Sequence, residues 1–238
     1  MILVIKHIPI EGPGTIEDFF RKEGFELRTV ELAQKETLPL DLSDIEAIVS
    51  MGGPMNVYEE DKYPFLKEED VFLKKVIREE IPFLGICLGS QLLAKAAGAK
   101  VTQSPKREIG WFKVALTSDG EKDPLFDGLS KDFDVFQWHG DTFAIPPKGR
   151  HLVEAKDCPH QALRIRRCAY GLQFHIEVTY DIIESWVKKD FNGENGRMTK
   201  EGQNILEEYR RFKERFNKNA DIIYGNFLKI MTVGKVAV

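Results

Sequence analysis

The sequence is short of cysteine, of excess positive charge and of long apolar runs. It has three cysteines in 238 residues, Cys87, Cys158 and Cys168. Three thiols make a poor disulfide framework, and no pair has the C-x-x-C spacing of a structural zinc site, so no metal is expected. A reduced, cytoplasmic protein is the expectation. The formal net charge is −4, from 34 Lys and Arg against 38 Asp and Glu. A basic face for a phosphate backbone is therefore not expected, and neither is nucleic acid as a partner. No apolar run approaches the roughly 18 residues that a membrane span requires. The opening MILVIKHIPI lacks a basic leader and a small-residue cleavage site, and reads as a first strand rather than a signal peptide. Neither G-x-x-x-x-G-K-[ST] nor G-x-G-x-x-G occurs, so no phosphate-binding loop or nucleotide cofactor is expected. Internal repeats and low-complexity linkers are also missing.

What is present is 42% hydrophobic and 30% charged. That is ordinary for a globular chain long enough to bury a real core. Strand-like ILVIKH, FELRTVEL, IEAIVSM and IPFLGI alternate with helical patterns at 15–23, 65–80 and 88–97. Thr15 is placed to cap the first helix, with Asp18 in the capping-box position. Strands alternating with helices predict a mostly parallel sheet covered on both faces, an α/β three-layer sandwich. The second half predicts shorter strands, WFKVALT, FDVFQWH, RHLVEA, QALRIRR and AYGLQFHIEV, as an antiparallel extension of the same sheet. From about Thr199 the chain is helical again. Its segment ADIIYGNFLKIM is amphipathic, and is expected to pack back on its own sheet rather than serve a partner. The organisation expected is one domain over 1–198 with a helical extension over 199–238 packed on it.

Two local patterns carry chemistry. Gly85-Ile86-Cys87-Leu88-Gly89 lies between a strand and a helix, with glycines two residues either side of the thiol. A nucleophile elbow has that form, and the helix N-terminus behind Cys87 favours a thiolate. A buried structural cysteine has the same local sequence, and the pattern alone leaves the two readings close to even. The second pattern is Gly-Leu-Gln-Phe-His-Ile-Glu-Val. In an extended strand His175 and Glu177 share a face, so the carboxylate can orient the imidazole as a base. His151 and His160 read as surface residues and His7 as a packing or solvent residue. Cys158 and Cys168 read as structural.

GICLGSQLLAKAAGA, followed by GLQFHIE with 88 residues from cysteine to histidine and preceded by Ser50-Met51-Gly52-Gly53-Pro54-Met55-Asn56, resembles the class I glutamine amidotransferases over roughly residues 40 to 190. The form most similar is the amidotransferase domain of the GMP synthases and their stand-alone relatives. The resemblance implies a flavodoxin-like fold and a Cys87, His175, Glu177 triad. It implies an oxyanion hole from the N–H groups of Gly53 and Leu88. It implies substrate contacts by Gln91 and by Trp138-His139-Gly140-Asp141, where the family has Ser-His-Gly-Asp. Glu108-Ile109-Gly110-Trp111 resembles a further pocket-edge segment, and Ile176 stands where the family usually has Pro. The implied reaction is hydrolysis of the glutamine side-chain amide, with ammonia passed to a separate synthetase subunit. A self-sufficient hydrolase of γ-glutamyl compounds and a non-catalytic protein on the same scaffold are the alternatives. The oligomeric state is not implied.

Overall fold

A computed structural model of the protein describes residues 1–193 and 197–233; residues 234–238 of the expected helical extension lie outside them. In chain order the elements are β1 (Ile2–Lys6), α1 (Thr15–Lys22), β2 (Leu27–Glu31), β3 (Ala47–Ser50), α2 (Phe65–Glu79), β4 (Phe83–Ile86) and α3 (Leu88–Ala96). They continue with β5 (Val101–Leu116), β6 (Asp132–Phe143), β7 (Gly149–Glu154), β8 (Ala162–Ile165), β9 (Ala169–Leu172), α4 (Tyr180–Asp190) and α5 (Lys200–Val233).

All nine strands join one sheet in the order β2-β1-β3-β4-β9-β8-β7-β5-β6. The first five in that order are parallel and the rest run antiparallel. This is the flavodoxin-like arrangement with an antiparallel extension that the sequence predicts. The central strands are apolar on both faces because both faces are covered. Ile2 and Val4 meet Ile16 and Phe20 of α1 and Ile223 and Phe227 of α5. Leu3 and Ile5, one residue out of phase, meet Leu66 and Val76 of α2 and Leu92 of α3. A third apolar cluster joins Phe136 of β6 to Ile183 and Trp186 of α4 and Ile205 and Tyr209 of α5. No described helix is long and apolar enough to cross a membrane.

Three local expectations need correction. Thr15 does not cap α1. The cap position is Gly14, without a side-chain hydrogen bond, and Thr15 is the first helical residue. Its hydroxyl is engaged by Tyr224 at 2.8 Å, so a tertiary partner outcompetes the local capping role. The segment 169–178 is not one strand. β9 ends at Leu172, and His175 forms only a single bridge to Phe136. Helix α4, absent from the expectation, follows at once, capped by Thr179, whose side chain accepts the N–H of Ile182.

The reactive edge follows from the topology. The segments after β1, β3, β4 and β9 all emerge at the carboxyl ends of the parallel strands, where open α/β sheets place their sites. Helix α3 packs hard against this edge. A Cβ built on Gly89 would lie 2.3 Å from the Ser50 carbonyl oxygen, and one on Gly85 would lie 2.6 Å from the Gly89 backbone. Only glycine fits at either position, as the elbow pattern requires.

Candidate active site

Cys87 joins β4 to α3 with φ 50° and ψ −105°, a left-handed conformation that a side chain rarely adopts. The strain is held from both sides. The Cys87 N–H donates to Leu172 O at 2.8 Å, and its carbonyl accepts from Ser90 N, Gln91 N and Ser90 Oγ. Leu88 supplies the first amide of α3, one of those with no acceptor inside the helix. The sulfur lies 3.8 Å from Gln173 Nε2 and 3.9 Å from Trp138 O.

His175 and Glu177 come together as expected, although by a different geometry. The segment bends after β9, yet His175 Nδ1 lies 2.6 Å from Glu177 Oε1. The second carboxylate oxygen accepts the N–H of Ile176 at 2.9 Å. A proline at 176 has no N–H to give, so isoleucine adds a donor to the carboxylate here. With Nδ1 engaged, Nε2 is the ring nitrogen left free, and His175 lines the same cavity as Cys87. The ring also meets Trp186 edge-on, centroids 4.9 Å apart. Burial pulls the His175 pKa down. The charges of Glu177 and Cys87 and the Glu177 hydrogen bond outweigh it, and the pKa ends well above the ordinary histidine value.

These groups border a cavity of about 290 Å³. Gly53, Gln91, Trp138, His139 and Gly140 all line it with Cys87 and His175. Glu177 stands behind His175 and, like Leu88, is not among the lining residues. Gln91 Nε2 is committed to Asp141 O at 3.1 Å and Gln173 Oε1 at 3.2 Å, which leaves its carbonyl oxygen for a ligand. His139 presents backbone rather than imidazole. Its Nδ1 bonds Asp141 O and its Nε2 bonds Glu108 Oε2, each at 2.9 Å.

Glu108, His139 and Cys158 have donor atoms within 4.8 Å of one another, a set whose chemistry could hold a metal ion. The set is occupied by its own hydrogen bonds. Gln161 Nε2 also donates to Glu108 Oε2 at 2.9 Å, and burial raises the Cys158 thiol, which disfavours the thiolate a metal needs. The group fits a structural brace between β5 and β6 better. The Glu108–Trp111 segment accordingly lies inside the long strand β5, and Glu108 reaches the cavity through His139. Cys158 is buried and Cys168 half-buried, the latter raised by burial to about 11, in keeping with structural roles.

Sequence reasoning missed Glu11 and the depth of His7. Glu11 lines the cavity from the segment after β1. An ideal Cβ on Gly52 would lie 2.3 Å from its Oε2 and 3.2 Å from His175 Cε1, which places the carboxylate beside the imidazole. Burial raises its pKa, against the lowering effect of His175 and His7. The available signal was position: a charged residue after β1 falls at the carboxyl edge of the sheet. His7 has no exposed surface, so the solvent role expected for it is excluded. His151 and His160 are half-buried and packed ring to ring at 5.1 Å.

The two deep histidines make a stability prediction. Burial lowers the pKa of His7, but Glu69 overcomes it, so His7 and His175 both titrate above an ordinary histidine. The folded protein then holds protons that the unfolded chain releases near pH 6.5. Their contribution is fully present below that pH and is lost as pH rises through the raised native values. The melting midpoint by calorimetry is expected to fall as pH increases from about 6.5. A midpoint that rises over that range contradicts a protonated pair.

Residues 15–192 match the family described as glutamine amidotransferase class-I. A glutamine amidotransferase-like protein, YfeJ, of Salmonella typhimurium is 29% identical over 187 residues, covering 77% of this chain and 78% of its own length. The GMP synthase of Thermosipho melanesiensis is 37% identical over 174 residues, 69% of this chain but 32% of that protein. The chain thus spans about a third of the length of the GMP synthases it matches. A glutamine amidotransferase structure from Thermotoga maritima superposes with TM-score 0.85 at 34% identity, covering 95% of this chain and 96% of that one. One from Methylobacillus flagellatus gives 0.87 at 27% identity, covering 96% and 94%.

Proposed function

Because the chain belongs to the class I glutamine amidotransferases, we propose that it hydrolyses the side-chain amide of glutamine through a γ-glutamyl thioester on Cys87. One observation carries the reading: a thiol on a strained elbow shares the wall of a ligand-sized cavity with an imidazole that is itself held by a buried carboxylate. About 290 Å³ is at the small end of small-molecule sites, which suits a single amino acid.

The proton of the Cys87 thiol rests on His175, and the sulfur forms a bond to the amide carbon. The carbonyl π electrons move to oxygen, where the N–H groups of Gly53 and Leu88 receive the negative charge. The carbon–nitrogen bond then breaks, and the proton on His175 leaves with nitrogen as ammonia. Water, deprotonated by His175, attacks the thioester, and the thiol and glutamate are released. Gln91 and the backbone of residues 138–140 hold the amino acid end of the substrate. A separate synthetase subunit is the proposed acceptor of the ammonia. The catalytic unit is residues 1–198, with 199–238 as its helical extension, working in a reduced cytoplasmic setting. Free, undisulfided cysteines support that setting.

The test is labelling with a glutamine-like electrophile, the modified peptide being located by mass spectrometry, alongside assay of ammonia and glutamate. The expected label is on Cys87 and is blocked by glutamine. Label on another residue, or none, overturns the reading. Preferred turnover of γ-glutamyl dipeptides would move the substrate class to the self-sufficient hydrolase.

A further inference from the structure

His7, Glu69 and Ser50 form a chain of buried polar groups beneath the cavity floor. His7 Nε2 meets Glu69 Oε2 at 2.7 Å, and Ser50 Oγ donates to Glu69 Oε1 at 2.7 Å; all three residues have no exposed surface. A buried ion pair is poor evidence for stability, since desolvation offsets much of the attraction. Its other end shows what it holds. His7 Nδ1 lies 3.0 Å from Gly52 O, and a carbonyl can only accept, so Nδ1 carries a proton and donates it.

That bond fixes the direction of one peptide plane. In a trans peptide the C=O and the next N–H point to opposite sides. With Gly52 C=O drawn toward His7, the N–H of Gly53 is turned away from it. Gly53 lines the cavity, whereas His7 is not among its lining residues. A Cβ on Gly52 would come within 3.2 Å of His175 Cε1, and one on Gly53 would meet the Leu88 side chain at 2.7 Å and His7 Cβ at 3.0 Å, so the two glycines run between His7 and the catalytic elbow. A peptide between two glycines has little intrinsic preference for either orientation, so its direction must come from outside. The preceding residues are pinned too: Gly89 N–H donates to Met51 O at 3.2 Å, and Ser50 is held by Glu69.

We infer that His7, backed by Glu69 and Ser50, is a positioning residue that turns the Gly52–Gly53 peptide so that its N–H faces the sulfur as an oxyanion donor. This rests on the oxyanion role proposed for Gly53. It assigns a task to a histidine and a helix glutamate that touch no substrate.

Two substitutions separate the bonds. In His7→Asn the side-chain amide nitrogen can occupy the place of Nδ1 and keep the bond to Gly52. In His7→Gln it approximates Nε2, keeps Glu69, and leaves Gly52 free. Loss of one oxyanion donor typically lowers kcat by about 10²–10³-fold. His7→Gln is expected to show a fall of that size in kcat for glutamine with KM little changed, and His7→Asn a much smaller one. Alkylation of Cys87 by iodoacetamide forms no oxyanion, and its rate is expected to stay at the wild-type value in both. The amide resonance of Gly53 should move in His7→Gln and hold in His7→Asn, a readout that needs no turnover. Wild-type kcat in His7→Gln, equal losses in both variants, or alkylation that falls in step with kcat would each overturn the inference. Failure of the glutamine reading looks different: Cys87→Ala would retain activity while the Gly53 resonance still reported on His7.

Discussion

Replacing Cys87 with alanine is expected to abolish release of ammonia from glutamine, by about 10⁴-fold or more, while the fold survives. No second thiol can take over: Cys158 is bound to Thr142 within the β5–β6 brace, and Cys168 lies beside Glu80 at the opposite end of the parallel strands. Residual hydrolysis near the wild-type rate would end the thioester mechanism. A glycine at the same position sharpens the test. At φ 50° a side chain is strained by about 1–3 kcal/mol, and glycine relieves this against about 0.5–1 kcal/mol of extra chain entropy. Cys87→Gly is therefore expected to be as inactive as Cys87→Ala yet to melt higher, by about 2–4 °C for each kcal/mol retained in a chain of this size. An inactive variant that is more stable than its inactive neighbour locates the strain at the reactive residue.

The second large effect is expected at His175. Proton transfer by a positioned side chain contributes about 10²–10⁴-fold, and in the proposed mechanism one ring serves both thiol and leaving nitrogen, so His175→Asn should lose the upper end of that range. It should also slow alkylation of Cys87, because the thiolate loses its partner. That distinguishes it from His7→Gln, where alkylation is expected to hold. Glu177→Gln should do less, since its side chain orients the ring through Nδ1 and meets no substrate. Stopped kinetics on folded variants, checked by near-ultraviolet dichroism, decide the order. A Glu177→Gln loss exceeding that of His175→Asn would reverse the assigned roles.

The parallel half of the fold was legible because each strand and helix there carries its own period. Ile2 and Val4 against Leu3 and Ile5 announce two covered faces without help from the rest of the chain. The elbow was legible for a similar reason, since its glycines are local necessities. The His175–Glu177 pair was correctly joined for an incomplete reason: contact survives although β9 ends three residues before the histidine. What was not legible depends on distant partners. Thr15 was assigned a local cap because Tyr224, 209 positions away, is invisible to a window of a few residues. His7 meets Glu69 across 62 positions, and no periodicity links them. Glu11 sits in an irregular segment where only the sheet's topology gives its address.

The clasp on the His175–Glu177 segment sets an order of events. Tyr224 donates to the carbonyl of Ile176 at 2.9 Å and receives the hydroxyl of Thr15, whose N–H in turn binds the carbonyl of Glu177 at 3.0 Å. Residues from both ends of the chain thus close on the bend that seats the base. A ribosome making this protein would finish β4 and its thiol well before Tyr224, so the clasp can shut only once α5 has been made. Until α5 is made, the nascent chain would carry the thiol without the seated imidazole.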